Sequence, residues 1–179
     1  MMDHQNRGHA LLSPSKAYQW MACTPSARLE EEFPDTSSEA AAEGTVAHEL
    51  AELKVRNYFY GVEFGKRKLT AAINKLRKEH ADLWQEEMMG YTDDYLDFVK
   101  STALESPTEP YVAIEKQVDL TAYIPDGFGT ADCILICGDT IHVIDFKYGK
   151  NPNGRVSAEH NPQMQLYALG AYEAYRMLY

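Results

Sequence analysis

The amino-acid sequence predicts a protein of the α+β or α/β class, with a small central mixed β-sheet flanked by helices. Apolar residues recur at helical spacing through the first half of the chain, up to about residue 105. After Pro107 and Pro110 the pattern changes to short runs typical of β-strands, and helical spacing returns from Asn161 onward. The chain has 179 residues, 45% of them hydrophobic, which predicts one domain around one core.

The predicted domain spans 1–179 and has two parts. A helical part, about 1–105, is expected to pack on a sheet with a C-terminal helix, about 111–179. The chain ends with RMLY, which contains apolar residues, inside that predicted helix. We therefore expect it to be a fragment, truncated at its C-terminus.

Helices in the first half are predicted at about 14–23, 25–32, 39–60 and 70–104. Pro14 and Pro25 each follow a residue of the N-cap type, which is typical of a helix start. Gly44 is expected to start or interrupt the third helix, and Gly90 to break the fourth.

Strands are predicted at 111–120, 128–137 and 140–147. Between the last two lies a two-residue loop, Gly138-Asp139, which suits a type II′ hairpin with glycine at the first central position. This turn fixes the register, and counting back along both strands places Asp132 opposite Asp145 if no bulge intervenes.

The two aspartates and a lysine in these apolar strands need partners. Directly opposed carboxylates repel each other, and burying an ionised carboxylate is costly unless it is paired or binds a metal. Alternation places Asp145 and Lys147 on one side of their strand, away from Phe146. Three arrangements remain open: a salt bridge with Lys147, a pair in which one carboxylate stays protonated, or a divalent cation between the carboxylates.

The net charge and the hydrophobic pattern argue against two features, a broad basic surface and a membrane span. The net charge of -10 argues against a broad basic surface, so any contact with nucleic acid must be local. The chain has no apolar run of about 18 residues or more and no signal-peptide pattern, so we expect no membrane span and a cytoplasmic location.

Four short motifs follow one another along the chain: His48 in GTVAHELAE, Asp132 in GTAD, Asp145 and Lys147 in DFK, and Gln163 and Tyr167 in QMQLY. Their order, with the histidine and the glutamine on predicted helices and the acidic residues on predicted strands, resembles the PD-(D/E)XK nuclease superfamily. The closest likeness is to its RecB-type branch and to phage-associated, exonuclease-like members. The resemblance spans about 44–167 and implies a restriction-endonuclease-like core.

The resemblance implies a magnesium or manganese ion. The ligands that it implies are His48, Asp132, Asp145 and the backbone carbonyl of Phe146. Oxygen ligands suit Mg²⁺, and the added imidazole makes Mn²⁺ chemically reasonable. It also implies that Lys147 orients the attacking water or neutralises developing charge, that Gln163 holds Lys147 or the phosphate, and that Tyr167 touches DNA.

Four further residues are candidates for the same site. Glu52 lies four residues after His48 and either orients the imidazole or is solvated. Glu115, on the first predicted strand, is either a further acidic member or an ordinary surface glutamate. Lys150 and Arg155 lie in a loop of glycines and asparagines, which suits either a DNA-binding, phosphate-facing loop or a solvated connection.

The three cysteines are Cys23, Cys133 and Cys137, and we expect them to stay reduced. Some RecB-type nucleases hold an iron–sulphur cluster with one cysteine before the nuclease core and three after it. No cysteine follows Cys137 here, so no such cluster is expected in this chain as given.

The sequence and the resemblance together predict a metal-dependent deoxyribonuclease, an exonuclease that hydrolyses phosphodiester bonds in recombination, repair or phage DNA processing, with DNA as its partner. Two alternatives remain open. One is a non-catalytic module on the same fold that binds nucleic acid or protein, and the other is a metal-dependent phosphohydrolase acting on small nucleotides.

Overall fold

The computed structural model describes residues 10–34, 38–61, 66–149 and 156–177. These residues form six α-helices and one three-stranded sheet, a mixed α/β arrangement. After a short 3₁₀ helix at Pro14–Lys16, the elements in chain order are α1 (Ala17–Ala22), α2 (Ser26–Glu30), α3 (Glu39–Phe59), α4 (Lys66–Glu79), α5 (Glu87–Leu104), β1 (Tyr111–Asp119), β2 (Phe128–Cys137), β3 (Thr140–Ile144) and α6 (Pro162–Tyr175). Among the described helices, none combines the length and the hydrophobicity of a membrane-spanning segment.

The sheet packs between two layers of helices. One face contacts α3 and α5, through buried residues that include Leu50, Val55, Met88, Val99 and Leu135. The other face contacts α6, through residues that include Val118, Ile134, Ile136 and Ala171. Both faces are therefore covered, which explains why β2 reads as a nearly continuous apolar run.

The sheet is entirely antiparallel within the described residues, so the expectation of a mixed sheet was wrong. Its order is β1-β2-β3, with each strand antiparallel to its neighbour. Short connections join consecutive strands and no helix lies between them, whereas parallel pairing needs a long crossover. The strand predicted at 140–147 ends at Ile144.

Two predicted helix breaks at glycine were also wrong. Helix α3 begins at Glu39, where the Ser38 side chain accepts a hydrogen bond from Ala41 N–H, and it continues through Gly44. Helix α5 continues through Gly90, and the predicted helix at 70–104 is interrupted between Glu79 and Glu87 instead. An interior glycine costs a helix only about 1 kcal/mol, which the packing of each helix on its neighbours outweighs.

The β2–β3 hairpin follows the predicted register. Gly138 has a φ of +62°, as the first central position of a type II′ turn requires, and Cys137 pairs with Thr140. The ladder ends at the pair Cys133–Ile144, one position before Asp132 could pair with Asp145. The predicted opposition of the two aspartates is therefore absent.

Strands β1 and β2 both change faces at one position. Glu115 and Asp132 fall at matching places in the register but form no ladder pair, and Glu115 has a φ of +50°. Ala113 and Ile134 face α6 on one side of this position, whereas Val118 and Ala131 face α6 on the other side, with the opposite parity. Side chains alternate strictly along a regular strand. The alternation in each strand must therefore be offset by one residue at this position.

The glycine of the GTAD motif is required by packing. A Cβ atom on Gly129 would lie 2.7 Å from Pro14 Cγ and 2.8 Å from Tyr167 Cε1. The proline belongs to the 3₁₀ helix and the tyrosine to α6, so Gly129 allows both elements to approach β2 closely.

We expect Gly129→Ala to lower the free energy of unfolding by about 1–3 kcal/mol, because the added methyl group overpacks this contact. Gly44→Ala is the matched control. Apart from the backbone of its own helix and its chain neighbours, no atom of the described residues lies within 4 Å of its added Cβ, and alanine in a helix interior should stabilise the protein by about 0.5–1 kcal/mol. Urea denaturation of both variants measures the two opposite shifts, and a neutral Gly129→Ala would contradict the packing role.

Candidate metal centre

An imidazole and two carboxylates from three separate elements converge at a small cavity. His48 comes from α3, Glu115 from β1 and Asp132 from β2, and one possible ligand atom of each lies within 4.8 Å of the others. The cavity between them measures about 10 Å³. A space of this size holds about one water molecule or one ion.

Helix α3 places His48 at the edge of the core. Val46, Ala47, Leu50 and Ala51 are buried against the sheet and α5, so His48 lies beside the buried stripe with its side chain partly exposed. Its Nδ1 atom lies 3.4 Å from Asp132 Oδ2, and its ring contacts the edge of the Phe146 ring. The histidine is therefore oriented from both sides.

The change of face in β1 and β2 brings the two carboxylates to the same cavity. Ile114 and Glu115 are adjacent in sequence, yet both line it, which a regular strand would not allow. The side chain of Asp132 points toward α3, as does that of the buried Cys133. Its Oδ2 accepts a hydrogen bond of 2.7 Å from the backbone N–H of Phe146. This bond holds the carboxylate at the end of the β2–β3 ladder.

The electrostatics of the cavity favour a cation. Burial, and then the charges of Asp132 and Glu52, raise the pKa of Glu115 to about 7. Burial lowers the pKa of His48, but the hydrogen bond to Asp132 and the charges of Asp132 and Asp145 outweigh it, so the net shift is upward. In both cases the neighbouring carboxylates raise the pKa, and a divalent cation would offset their negative charge.

Asp145 belongs to a second group of side chains beside this cavity. Its carboxylate is 6% exposed, lies 2.6 Å from Lys147 Nζ and accepts a hydrogen bond of 3.2 Å from Gln163 Nε2. Burial and the charge of Asp132 raise its pKa, and Lys147 opposes that shift. In the described conformation Asp145 thus forms the salt bridge that the sequence had left as an alternative to a metal.

The two aspartates are separated because they leave the hairpin on different sides. Ile144 and Phe146 point into the core cluster with α3, so alternation sends Asp145 toward α6. Asp132 would have pointed the same way, but the change of face in β2 turns it toward α3. The predicted ligand Asp145 therefore lies outside the cluster of His48, Glu115 and Asp132, and Glu115 joins it.

The N-terminus of α6 positions Gln163. The side chain of Asn161 caps the helix by accepting hydrogen bonds from the N–H groups of Gln163 and Met164. Gln163 then donates to Asp145 and, at 3.3 Å, to the hydroxyl of Tyr167. Tyr167 is only 5% exposed, so in this conformation it packs in the core and is not accessible to DNA.

The remaining predicted residues fall in three places. Glu52 lines the cavity but accepts a hydrogen bond of 2.6 Å from Arg56 Nε, and no bond to His48 is present. Phe146 meets Asp132 through its N–H group, while its ring lies between those of His48 and Tyr95. Lys150 and Arg155 lie outside the described residues.

Sequence reasoning missed Tyr95, which comes from α5 and also lines the cavity. Its hydroxyl is buried and has no hydrogen-bond partner. Burial, Cys133 and nearby carboxylates raise its pKa, so it stays protonated and can donate a hydrogen bond. Nothing in the sequence distinguishes Tyr95 from an ordinary core tyrosine on a helix.

These features fit a divalent cation. One imidazole nitrogen and two carboxylates form a donor set suited to Mn²⁺ or Mg²⁺, and the unpartnered Tyr95 hydroxyl offers a hydrogen bond to a further ligand. His48, Glu115 and Asp132 would hold the ion.

Metal affinity should rise with pH through about 7. Metal ligands must be deprotonated, and the raised pKa values of Glu115 and His48 mean that both hold protons at lower pH in the metal-free protein. We expect the apparent Kd for Mn²⁺ to fall roughly 10- to 100-fold between about pH 6 and pH 8. Calorimetry in buffers of different ionisation enthalpy measures the affinity and the protons released.

The control for this pH dependence is Glu115→Gln, which should weaken binding and flatten the profile. An affinity independent of pH, with no proton release, would rule out Glu115 and His48 as ligands.

A second, wider groove runs along β3. It measures about 390 Å³ and is open to solvent between α5, β3 and the segment that precedes α6. Asp145 and Lys147 form part of its wall, together with Phe98, His142 and Met164. A groove of this size can admit a nucleotide-sized group next to Lys147.

Comparison with known proteins places the chain in a family of unknown function. A family model described as "Protein of unknown function (DUF2800)" matches residues 9–179. No solved structure matches the chain.

Proposed function

We propose that this chain, which belongs to the DUF2800 family of proteins of unknown function, is a metal-dependent phosphodiesterase that cleaves DNA, most simply as an exonuclease. The observation that carries the proposal is the convergence of His48, Glu115 and Asp132 on one cavity. These residues come from positions far apart in the sequence and from three separate elements, α3, β1 and β2. Two partly buried carboxylates this close together repel each other, and a cation between them would offset that repulsion.

The groups next to the cavity support hydrolysis rather than ion storage. Lys147 lies at the wall of a groove that admits a nucleotide-sized group, and its side chain is 46% exposed. At this place the Lys147 ammonium would face a phosphate in the groove and offset negative charge on it. The order of these residues along the chain is the order of the RecB-type motifs, so we also propose a restriction-endonuclease-like core.

Each side chain has a distinct role in this proposal. A metal ion held by His48, Glu115 and Asp132 supplies Lewis-acid chemistry, which polarises phosphate and makes water more acidic. Asp145 holds Lys147 in place through the ion pair, and Gln163 supports Asp145 through its hydrogen bond. The N–H group of Phe146 fixes the carboxylate of Asp132, and Tyr95 keeps a proton to donate.

The salt bridge between Asp145 and Lys147 favours a second candidate function. In the first candidate this ion pair positions Lys147; if, in the presence of metal, it also neutralises the lysine, then Lys147 cannot act on a phosphate, and the chain is a module that binds nucleic acid or protein without cleaving it. Double-stranded or single-stranded DNA would then be bound and remain intact.

Digestion of linear DNA separates the two candidates. The wild-type protein is incubated with single- and double-stranded DNA in Mg²⁺, in Mn²⁺ and in EDTA, beside Asp145→Ala and His48→Ala. His80→Ala is the control, because His80 is a histidine outside the cavity. We expect cleavage in the presence of metal by the wild type and His80→Ala only. Equal activity in all four proteins would reject the site, and binding without cleavage would favour the second candidate.

A further inference from the structure

We propose that the exposed face of α4 binds the phosphate backbone of a nucleic acid. This inference rests on the proposed function, because the bound strand would be the substrate of the neighbouring metal centre. It adds a surface that the catalytic motifs do not contain.

Helix α4 concentrates positive charge in an acidic protein. The whole chain carries 17 Lys and Arg residues against 27 Asp and Glu, with a net charge of -10. The α4 sequence KRKLTAAINKLRKE includes six of these basic residues and a single glutamate. Cations clustered along one helix are the electrostatic feature expected of a local phosphate-binding surface.

The apolar side of α4 is already occupied. Leu76 is 6% exposed and belongs to the core cluster, and the partly buried Ile73 packs against that cluster. A basic helix that binds a membrane must bury its apolar face in lipid, and this face is used by the protein's own core. The charged side alone faces solvent, which favours a polyanion over a lipid surface.

Two cations on the exposed side have no partner in the described part of the chain. Arg67 and Lys78 are exposed, with no ion pair among the described residues, and eleven residues separate them on the same side of the helix. The helical rise separates them by roughly 16 Å, which matches the length of several nucleotides of a strand. Arg77, in contrast, is engaged by Glu86 and lies over the Trp84 ring.

The end of α4 lies next to the part of α3 that carries the metal ligand. His80 directly follows α4, and its Nε2 atom lies 4.0 Å from Oε2 of Glu49, the residue after His48. A strand held along α4 would therefore approach the helix that supplies the candidate metal centre. Binding and cleavage would use adjacent surfaces.

The test measures DNA binding in EDTA, where no metal-dependent cleavage takes place. Fluorescence anisotropy follows short labelled oligonucleotides, single- and double-stranded, against the wild type and Arg67→Glu/Lys78→Glu. Arg28→Glu/Arg176→Glu is the control, since it changes the net charge equally at two exposed arginines outside α4. We expect the α4 variant to bind roughly 10- to 100-fold more weakly, with a slope of log K against log salt that is less steep by about 2. The control should bind like the wild type.

Hydrolysis of bis(p-nitrophenyl) phosphate in Mn²⁺ distinguishes this inference from the proposed function. It should be the same in the wild type and the α4 variant, because this small substrate does not reach α4. If hydrolysis is absent but α4-dependent DNA binding is found, the proposed function fails and the inference stands.

Three results would overturn the inference. The first is no DNA binding by the wild type at low salt, and the second is an equal loss in the α4 variant and the control. The third is displacement of the oligonucleotide by polyglutamate at an equal concentration of charge, which would show that α4 does not select phosphate over carboxylate.

Discussion

Replacing Asp132 by asparagine should reduce the rate of DNA cleavage by at least about 1000-fold, because a ligand charge worth several kcal/mol in the transition state is lost. Asp132 is the residue on which the site depends most. Its carboxylate contacts His48 and accepts a hydrogen bond from the Phe146 N–H group. One of its oxygens also lies within 4.8 Å of a carboxylate oxygen of Glu115. Asparagine keeps the oxygen that accepts the Phe146 hydrogen bond, so the fold should persist. Cleavage assays in Mn²⁺ and calorimetric Mn²⁺ titration measure both losses.

The matched control for Asp132→Asn is Asp139→Asn, at the exposed turn of the same hairpin. It makes the same chemical change far from the cavity and should leave cleavage unchanged. Full activity in Asp132→Asn, with unaltered Mn²⁺ affinity, would exclude this carboxylate from the site.

Replacing Lys147 by methionine should lower the rate of DNA cleavage roughly 100- to 1000-fold without weakening the binding of Mn²⁺. Lys147 contacts Asp145 and is not part of the His48, Glu115 and Asp132 cluster. Removing its positive charge from the vicinity of a cation should, if anything, tighten metal binding. The separation of the two effects is the informative result, and it is measured by parallel cleavage and calorimetry.

A suitable control is Lys100→Met, which removes a partly buried lysine that pairs with Asp97 on α5. Thermal melts of both variants ensure that activity is compared between folded proteins, since Lys147→Met leaves Gln163 as the hydrogen-bond partner of the buried Asp145 among the described residues. Unreduced cleavage in Lys147→Met would mean that the lysine is only the structural partner of Asp145.

The sequence predicted the positions of β1, β2 and the hairpin well because those signals were local, whereas the mixed sheet and the end of β3 at residue 147 were predicted wrongly. A two-residue Gly138-Asp139 loop between apolar runs fixes a hairpin, and β2 begins and ends where the pattern indicated. The helix breaks could not be predicted in the same way. Gly44 and Gly90 are weak helix residues, but packing on neighbouring elements decides whether a helix continues, and that packing is not visible in the sequence.

The candidate site was predictable in its membership more than in its arrangement. His48, Asp132, Asp145 and Gln163 do gather in one region, as the order of motifs indicated. Their division into two groups depends on the change of face at Asp132, which regular alternation cannot foresee. The sequence also cannot decide whether Glu115 is a site residue or an ordinary surface glutamate, because its direction depends on a backbone conformation that glutamate rarely adopts.

The left-handed backbone conformation of Glu115 lowers the stability of the protein at the position where its acidic groups converge. A left-handed backbone at a residue other than glycine costs roughly 1–2 kcal/mol, and the φ of Glu115 is +50°. Glycine at 115 would relax the backbone and also remove the negative charge that Asp132 and Glu52 repel, so selection for stability alone would favour it. A glutamate that opposes both backbone preference and electrostatics makes sense if its carboxylate is needed for something other than folding.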